Sequence, residues 1–227
     1  MIRTVILDID DTLYDWATVD PVVVREYMAP YVEKHFGWTE EEYFRRLREA
    51  TDELVAFSGT TGDCRDRMIR FQLMAEKAGY PPEPYAYDMY HLYWDEMLKR
   101  IRPFEGVEET LQELRARGIR LGICSDNTAE LQFKKLRVLG LSRYFDFVVT
   151  SAEAGIEKPS PKIYERVLSK AKCAPEECLF IGDVYEKDVR GPENAGMKAL
   201  WFNTTHKPSR EGVTEIGSFR EILQHLE

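Results

Sequence analysis

The stretch 2–7, mostly β-branched or aliphatic, runs straight into the acids Asp8, Asp10 and Asp11. A short apolar run of this kind predicts a strand buried on both faces that ends where polar chemistry begins. From about Asp15 to Leu98 the rhythm becomes helical. Val22, Val23, Tyr27, Tyr31 and Val32 recur at helical spacing up to a stop at Gly37. Thr39, with Glu42 three residues on, predicts a capping box for a second helix running through Leu47 and Leu54 to Ser58-Gly59. A polar loop over Gly59–Asp63 precedes a third helix, which carries Met68, Phe71 and Met74 up to Gly79. Pro81-Pro82-Glu83-Pro84 then breaks the chain before a fourth helix with Tyr87, Tyr90, His91, Trp94 and Leu98.

Beyond Pro103-Phe104-Glu105-Gly106 the two periods alternate. Helices are expected over 107–117, 131–139 and 161–171, with a further short one before residue 198. Strands are expected over 119–124, 145–149, 178–181 and 198–202. Alternation on this scale predicts βαβ units around a parallel sheet. The expected class is α/β: a Rossmann-like parallel sheet core (1–14 and 99–227) with an inserted all-helical cap domain (15–98).

Composition narrows the functional classes. The 227 residues hold 31 Lys+Arg against 40 Asp+Glu, a net charge of −9. That excess of acid disfavours a nucleic-acid partner, because phosphate backbones attract basic faces. It leaves room for a small phosphorylated molecule, since one metal ion or lysine reverses the sign locally. The N-terminal apolar run is too short for a signal peptide, and no segment reaches the roughly 20 apolar residues of a membrane span. Cys64, Cys124, Cys173 and Cys178 match no complete zinc pattern and read as reduced thiols. A cytoplasmic protein, monomeric or homodimeric and without a membrane partner, is expected.

Candidate chemistry gathers at the predicted strand ends, where open parallel sheets bind ligands. Asp8 and Asp10, two apart on an extended chain, point to the same side. Ser125, Asp126 and Asn127 follow the second strand, Lys158 lies in Glu157-Lys158-Pro159-Ser160-Pro161, and Gly182-Asp183 precedes Asp188. Each alone has a plain structural reading as a turn, a helix cap or a solvated charge. Together they supply what phosphoryl transfer needs: carboxylates for a hard cation, a lysine and a hydroxyl for phosphoryl oxygens, and an attacking carboxylate.

In this order the motifs resemble those of the haloacid dehalogenase (HAD) superfamily, and the likeness runs over nearly the whole chain. The four motifs are Asp8-Ile9-Asp10-Asp11-Thr12, Ser125, Lys158 and Gly182-Asp183 with Asp188. Pro192 stands where the family more often has a small residue. The resemblance implies that Asp8 is the nucleophile and Asp10 the general acid and then base, with Thr12 holding Asp10 and the turn. It places Ser125, Lys158, Asp11 and Asp126 around the phosphoryl group. Mg²⁺ is expected on Asp8, the Asp10 backbone carbonyl and Asp183, with Asp188 orienting Lys158 and metal-bound water.

The helical insert is similar to the family's C1-type caps. Dehalogenases of the superfamily lack an acid/base at the position of Asp10, so its presence favours phosphate esters. The expected activity is a Mg²⁺-dependent phosphomonoesterase acting on a small phosphorylated metabolite, such as a sugar phosphate or nucleoside monophosphate. A phosphomutase or phosphotransferase shares the intermediate, and a phospho-Asp signalling module shares several residues. Residues 15–98 hold 17 acids and 9 bases, nearly the whole surplus. An acidic lid points to a neutral or singly charged leaving group unless Arg65, Arg67 and Arg70 face inward. The stripe from Tyr87 to Trp94 reads as a packing surface or as a stacking platform.

Overall fold

The computed structural model describes all of residues 1–227 except Gly62, Asp63, Arg65, Thr205, His206 and Lys207. Six strands form one parallel sheet: β1 (Thr4–Leu7), β2 (Arg120–Ser125), β3 (Phe147–Thr150), β4 (Cys178–Gly182), β5 (Lys198–Phe202) and β6 (Glu215–Ile216). Their order is β3-β2-β1-β4-β5-β6. The chain winds outward on one side through β2 and β3, then crosses β1 to continue through β4. That reversal at β1 opens a crevice at its C-terminal end. Leu7 pairs with Ile123 on one side and Ile181 on the other, so Asp8 emerges between the ends of β2 and β4. All four residues of β1 are buried, as its apolar run predicts.

Among the described residues, the regular elements between β1 and β2 are helical: α1 (Trp16–Val23), α2 (Ala29–Phe36), α3 (Glu40–Ser58), α4 (Arg67–Lys77), α5 (Pro82–Arg100) and α6 (Val107–Ala116). The sheet's remaining connections carry α7 (Ala129–Val138), α8 (Ser151–Ala154), α9 (Pro161–Ala171) and α10 (Gly191–Asn194). Buried residues of the sheet and of the helical insert, among them Val5, Leu7, Tyr14, Met28, Tyr93 and Leu121, form one continuous apolar cluster. A second cluster, centred on Ile6, Ile163, Tyr164 and Phe180, fills the opposite face of the sheet between β1, β4 and α9.

Several local details depart from expectation. The first helix is not uniform: α1 and α2 are joined by a wider π-helical turn at Val24–Met28. The capping box at Thr39 is half formed. Thr39 accepts the Glu42 amide at 3.2 Å, but the Glu42 carboxylate turns to Arg45 and Arg46 instead of the cap. The strand expected from residue 2 begins at Thr4, and β6, two residues long, is an addition. The break at Pro81–Pro84 persists as a non-helical Glu83 inside the first turn of α5.

Candidate active site

Asp8 continues β1 by one residue, its amide donating to Ile181 O at 3.0 Å. The Lys158 ammonium sits between two acids, 3.1 Å from Asp8 Oδ1 and 2.6 Å from Asp188 Oδ1. All three side chains are buried. Asp188 also accepts the Val184 amide at 2.9 Å, which fixes it beneath the end of β4. Only glycine fits above it: a Cβ on Gly182 would overlap the Asp188 carboxyl group. Burial pulls the Lys158 pKa down, but Asp188 and Asp8 outweigh it and hold the ammonium well above the ordinary lysine range. Burial pushes the Asp8 carboxyl up to about 7 against the pull of Lys158, with Asp188 and Asp10 adding to the rise.

Asp10 has the opposite environment. Burial favours its neutral form, yet Lys135, Tyr14 and Gln132 overcome this and hold the carboxyl below the usual range. Lys135 Nζ lies 2.7 and 2.9 Å from the two Asp10 oxygens, the Tyr14 hydroxyl donates to Oδ1, and Gln132 Nε2 is 3.5 Å from Oδ2. Lys135 is itself buried, stacked 4.9 Å from the Trp94 ring. Gln132 also donates to Ser125 Oγ at 2.9 Å and to Asp126 O at 2.6 Å, joining the end of β2 to the Asp10 cluster.

The other expected residues fall around the same crevice with distinct tasks. The Asp126 carboxylate accepts the Lys158 amide at 3.0 Å and the Lys187 ammonium at 2.5 Å. Lys187 also pairs with the buried Glu157 at 3.2 Å. The Asp11 carboxylate accepts the Ala17 amide at 2.8 Å, beside the start of α1. The side chains of Asp11 and Asp126 are thus engaged within the protein. Thr12 turns the chain through its backbone, its amide donating to Ile9 O at 3.3 Å. Its buried hydroxyl has no hydrogen-bond partner among the described residues, so it does not hold Asp10 as the family pattern implies.

A hard cation fits the acids here. Asp8, Asp183 and Asp188 each offer a carboxylate oxygen, all within 4.8 Å of one another. Asp8 Oδ1 is buried and makes no hydrogen bond among the described residues, Lys158 giving it charge but not hydrogen-bond geometry. An all-oxygen set of this kind, without His or Cys, matches Mg²⁺. Both Asp188 oxygens are already engaged by Lys158 and Val184, which suits that residue to aiming the lysine more than to holding an ion.

These residues line a cavity of about 420 Å³ whose remaining wall is helical: Trp16, Arg67, Arg70 and Trp94. Arg67 and Arg70 therefore face inward, removing the ground for reading the lid's net charge as a bias against anionic leaving groups. Arg65, with Gly62 and Asp63 of the expected loop, lies outside the described residues. The aromatic stripe divides. Trp94 is buried against Lys135 and the cavity, whereas Tyr87 is exposed and lies against His91 with the two rings tilted. Tyr14, Gln132, Lys135 and Lys187 carry no motif that singles them out in the sequence, yet they bind or flank the acids that do.

A family model for haloacid dehalogenase-like hydrolases matches residues 2–196. A glyceraldehyde 3-phosphate phosphatase of Methanothermobacter thermautotrophicus is 32% identical over 204 residues, covering 90% of this chain and 87% of its own length. A phosphoserine phosphatase of Thermus thermophilus is 33% identical over 179 residues, covering 78% of this chain and 70% of the relative. Among solved structures, a 2-haloacid dehalogenase from Pseudomonas syringae superposes with a TM-score of 0.79 at 26% identity, covering 100% of this chain and 98% of the other. With strand-end motifs, sheet order and these likenesses in agreement, the chain belongs to the haloacid dehalogenase-like hydrolases.

Proposed function

We propose that this protein is a Mg²⁺-dependent phosphomonoesterase that hydrolyses small phosphorylated metabolites through an aspartyl-phosphate on Asp8. The observation that carries the reading is the contrast between two carboxyls two residues apart. Asp8 faces a single lysine among acids, while Asp10 is held by Lys135 and Tyr14. The phosphatase relatives support the same class, and the presence of Asp10 favours an ester over a halide, which leaves without a proton.

An Asp8 carboxylate oxygen attacks phosphorus, and the bond from phosphorus to the leaving oxygen breaks. Asp10, ionised in the free protein, takes up a proton as the anionic ester binds beside it, gives that proton to the leaving oxygen, and then takes one from the water that attacks the aspartyl-phosphate, releasing inorganic phosphate and free Asp8. Lys158 and Ser125 bind phosphoryl oxygens, and Asp188 keeps Lys158 charged and aimed. Asp8, Asp183 and the Asp10 carbonyl would hold Mg²⁺, which supplies positive charge between the two anions when bound. The helices of residues 15–98 act as the cap that selects the leaving group.

Phosphate release from p-nitrophenyl phosphate and a panel of metabolite esters, with Mg²⁺ and with EDTA, tests this. Wild type should turn over only with Mg²⁺, and Asp8→Asn should lose at least about 10³-fold in kcat while keeping its circular dichroism spectrum. Mg²⁺-dependent turnover by Asp8→Asn at the wild-type rate would refute the mechanism. An isomerised ester in place of inorganic phosphate would identify a mutase instead.

A further inference from the structure

Gln132 is a neutral, fully buried side chain of α7 that stands behind the cavity and not in its wall. Its amide nitrogen meets three oxygens: Asp126 O at 2.6 Å, Ser125 Oγ at 2.9 Å and Asp10 Oδ2 at 3.5 Å. A carbonyl oxygen and an ionised carboxylate only accept, so the amide cannot be turned over without setting its own oxygen against Asp126 O. The nitrogen is therefore the group that faces Ser125, and the Ser125 hydroxyl is the acceptor of that bond. Two N–H groups serve the two nearer oxygens, while Asp10 already has Lys135 and Tyr14. The arrangement carries a cost: Gln132 Oε1 is buried and has no hydrogen-bond partner among the described residues. An amide that leaves its oxygen unmatched stabilises the fold poorly, so the work of its nitrogen is what accounts for it.

The direction of the bond between Gln132 and Ser125 decides what Ser125 can do. A hydroxyl has one proton to give and two lone pairs to receive with. With Gln132 donating into a lone pair, the Ser125 proton is left to turn to the cavity that Ser125 lines, where Asp8 is close enough to feel it. We infer that Gln132 is a positioning residue that holds the Ser125 hydroxyl as a donor toward the phosphoryl oxygens. The inference rests on the phosphomonoesterase reading, in which Ser125 binds the phosphoryl group. Without Gln132 the proton rotates freely about Cβ–Oγ, and a lone pair turned to the cavity repels an anionic oxygen. A proton already aimed at that oxygen needs no reorganisation as negative charge gathers there. Gln132 touches neither substrate nor reacting atoms, so its effect passes through Ser125. Lys135, three residues on and buried like Gln132 on the inner face of α7, serves Asp10 instead. One helix face thus aims both the phosphoryl donor and the acid.

A double-mutant cycle tests this, with kcat/KM measured in Mg²⁺ on p-nitrophenyl phosphate and on the alkyl ester that wild type hydrolyses fastest. Gln132→Met keeps the reach of the side chain and removes the donor. It should lose about tenfold on both esters, because the phosphoryl group is common to them. In a Ser125→Ala background the same substitution should cost about twofold or less, because the group it acts through is gone. Circular dichroism checks the fold of each variant. If Gln132→Met does not fold, Gln132→Asn, which withdraws the amide by one methylene, takes its place with the same expectations. An equal loss in both backgrounds would make Gln132 a packing residue and overturn the inference. So would no loss in the wild-type background, or a loss several-fold larger on the alkyl ester, which would assign the amide to Asp10. Ser125→Ala at the wild-type rate would overturn it too, while leaving the phosphomonoesterase reading in place. Failure of wild type to hydrolyse any ester, p-nitrophenyl phosphate included, would overturn both.

Discussion

Two buried clusters of acid and base meet one cavity, and they are unbalanced in opposite senses. At the sheet edge one ammonium, Lys158, serves Asp8 and Asp188 at 3.1 and 2.6 Å, with Asp183 close by. Among the helices of the insert a single guanidinium, Arg67, meets a single carboxylate, Asp20, and keeps a donor unmatched among the described residues. The first cluster is short of positive charge, and the second is short of an acceptor. Buried ion pairs contribute little net stability of their own, so neither cluster is explained by stability alone.

The sharpest way to break this contrast is to remove the lysine from the sheet edge. Lys158→Met leaves Asp8 and Asp188 facing each other without a counter-charge and should cost about 3–5 kcal/mol of stability at pH 8 in EDTA. Mg²⁺ should recover some of that loss if these acids hold it, because a cation that binds only the folded state stabilises it. Thermal melts with EDTA and with millimolar Mg²⁺ check both statements, and a variant as stable as wild type in EDTA would remove the charge imbalance from the account. The counterpart is Asp20→Asn, which keeps the shape and an acceptor but deletes the charge. A smaller loss of about 1–3 kcal/mol is expected. Mg²⁺ should shift its melting temperature no more than it shifts that of wild type. A Mg²⁺-specific rescue of Asp20→Asn would show that the two clusters are not separate.

Sequence and structure agree best where chemistry follows directly from strand geometry. Asp8, Ser125, Asp183 and their neighbours stand at strand ends, and the alternation of buried strand and acid announces them. Agreement fails on α7, where Phe133 is half exposed while Lys135 is buried. Hydrophobic patterning places a lysine outward and a phenylalanine inward, and only the fold reveals that Asp10 draws Lys135 to the inner face. Tyr14 is buried in the core, yet its hydroxyl is spent on Asp10. The helices of residues 15–98 are legible as elements from their caps and breaks. The face each one turns to the cavity is not, because it depends on packing among α1, α4 and α5. The Thr39 capping box fails for a local reason: two arginines at the following helical positions compete for Glu42.

Lys135 provides the finest test, because it ties an unexpected residue to the difference between Asp8 and Asp10. If its role is to aim the Asp10 carboxyl, Lys135→Met should lose about 10–100-fold in kcat on alkyl esters, whose leaving oxygen needs a proton. The loss on p-nitrophenyl phosphate should be several-fold smaller, because that leaving group departs as a stable anion. The pH dependence follows from the direction of the Asp10 shift. Lys135 holds the carboxyl below its ordinary range, so its removal raises the pKa. The decline in activity that accompanies Asp10 deprotonation then moves to higher pH. Stability carries the same sign. A carboxyl depressed in the folded state stabilises above its unfolded pKa and loses that contribution as acid protonates it. The deficit of Lys135→Met in melting temperature should therefore be largest near neutrality and close towards pH 3. Equal losses on both kinds of ester, with an unmoved pH profile, would reduce Lys135 to a packing residue and leave Tyr14 and Gln132 to position the acid.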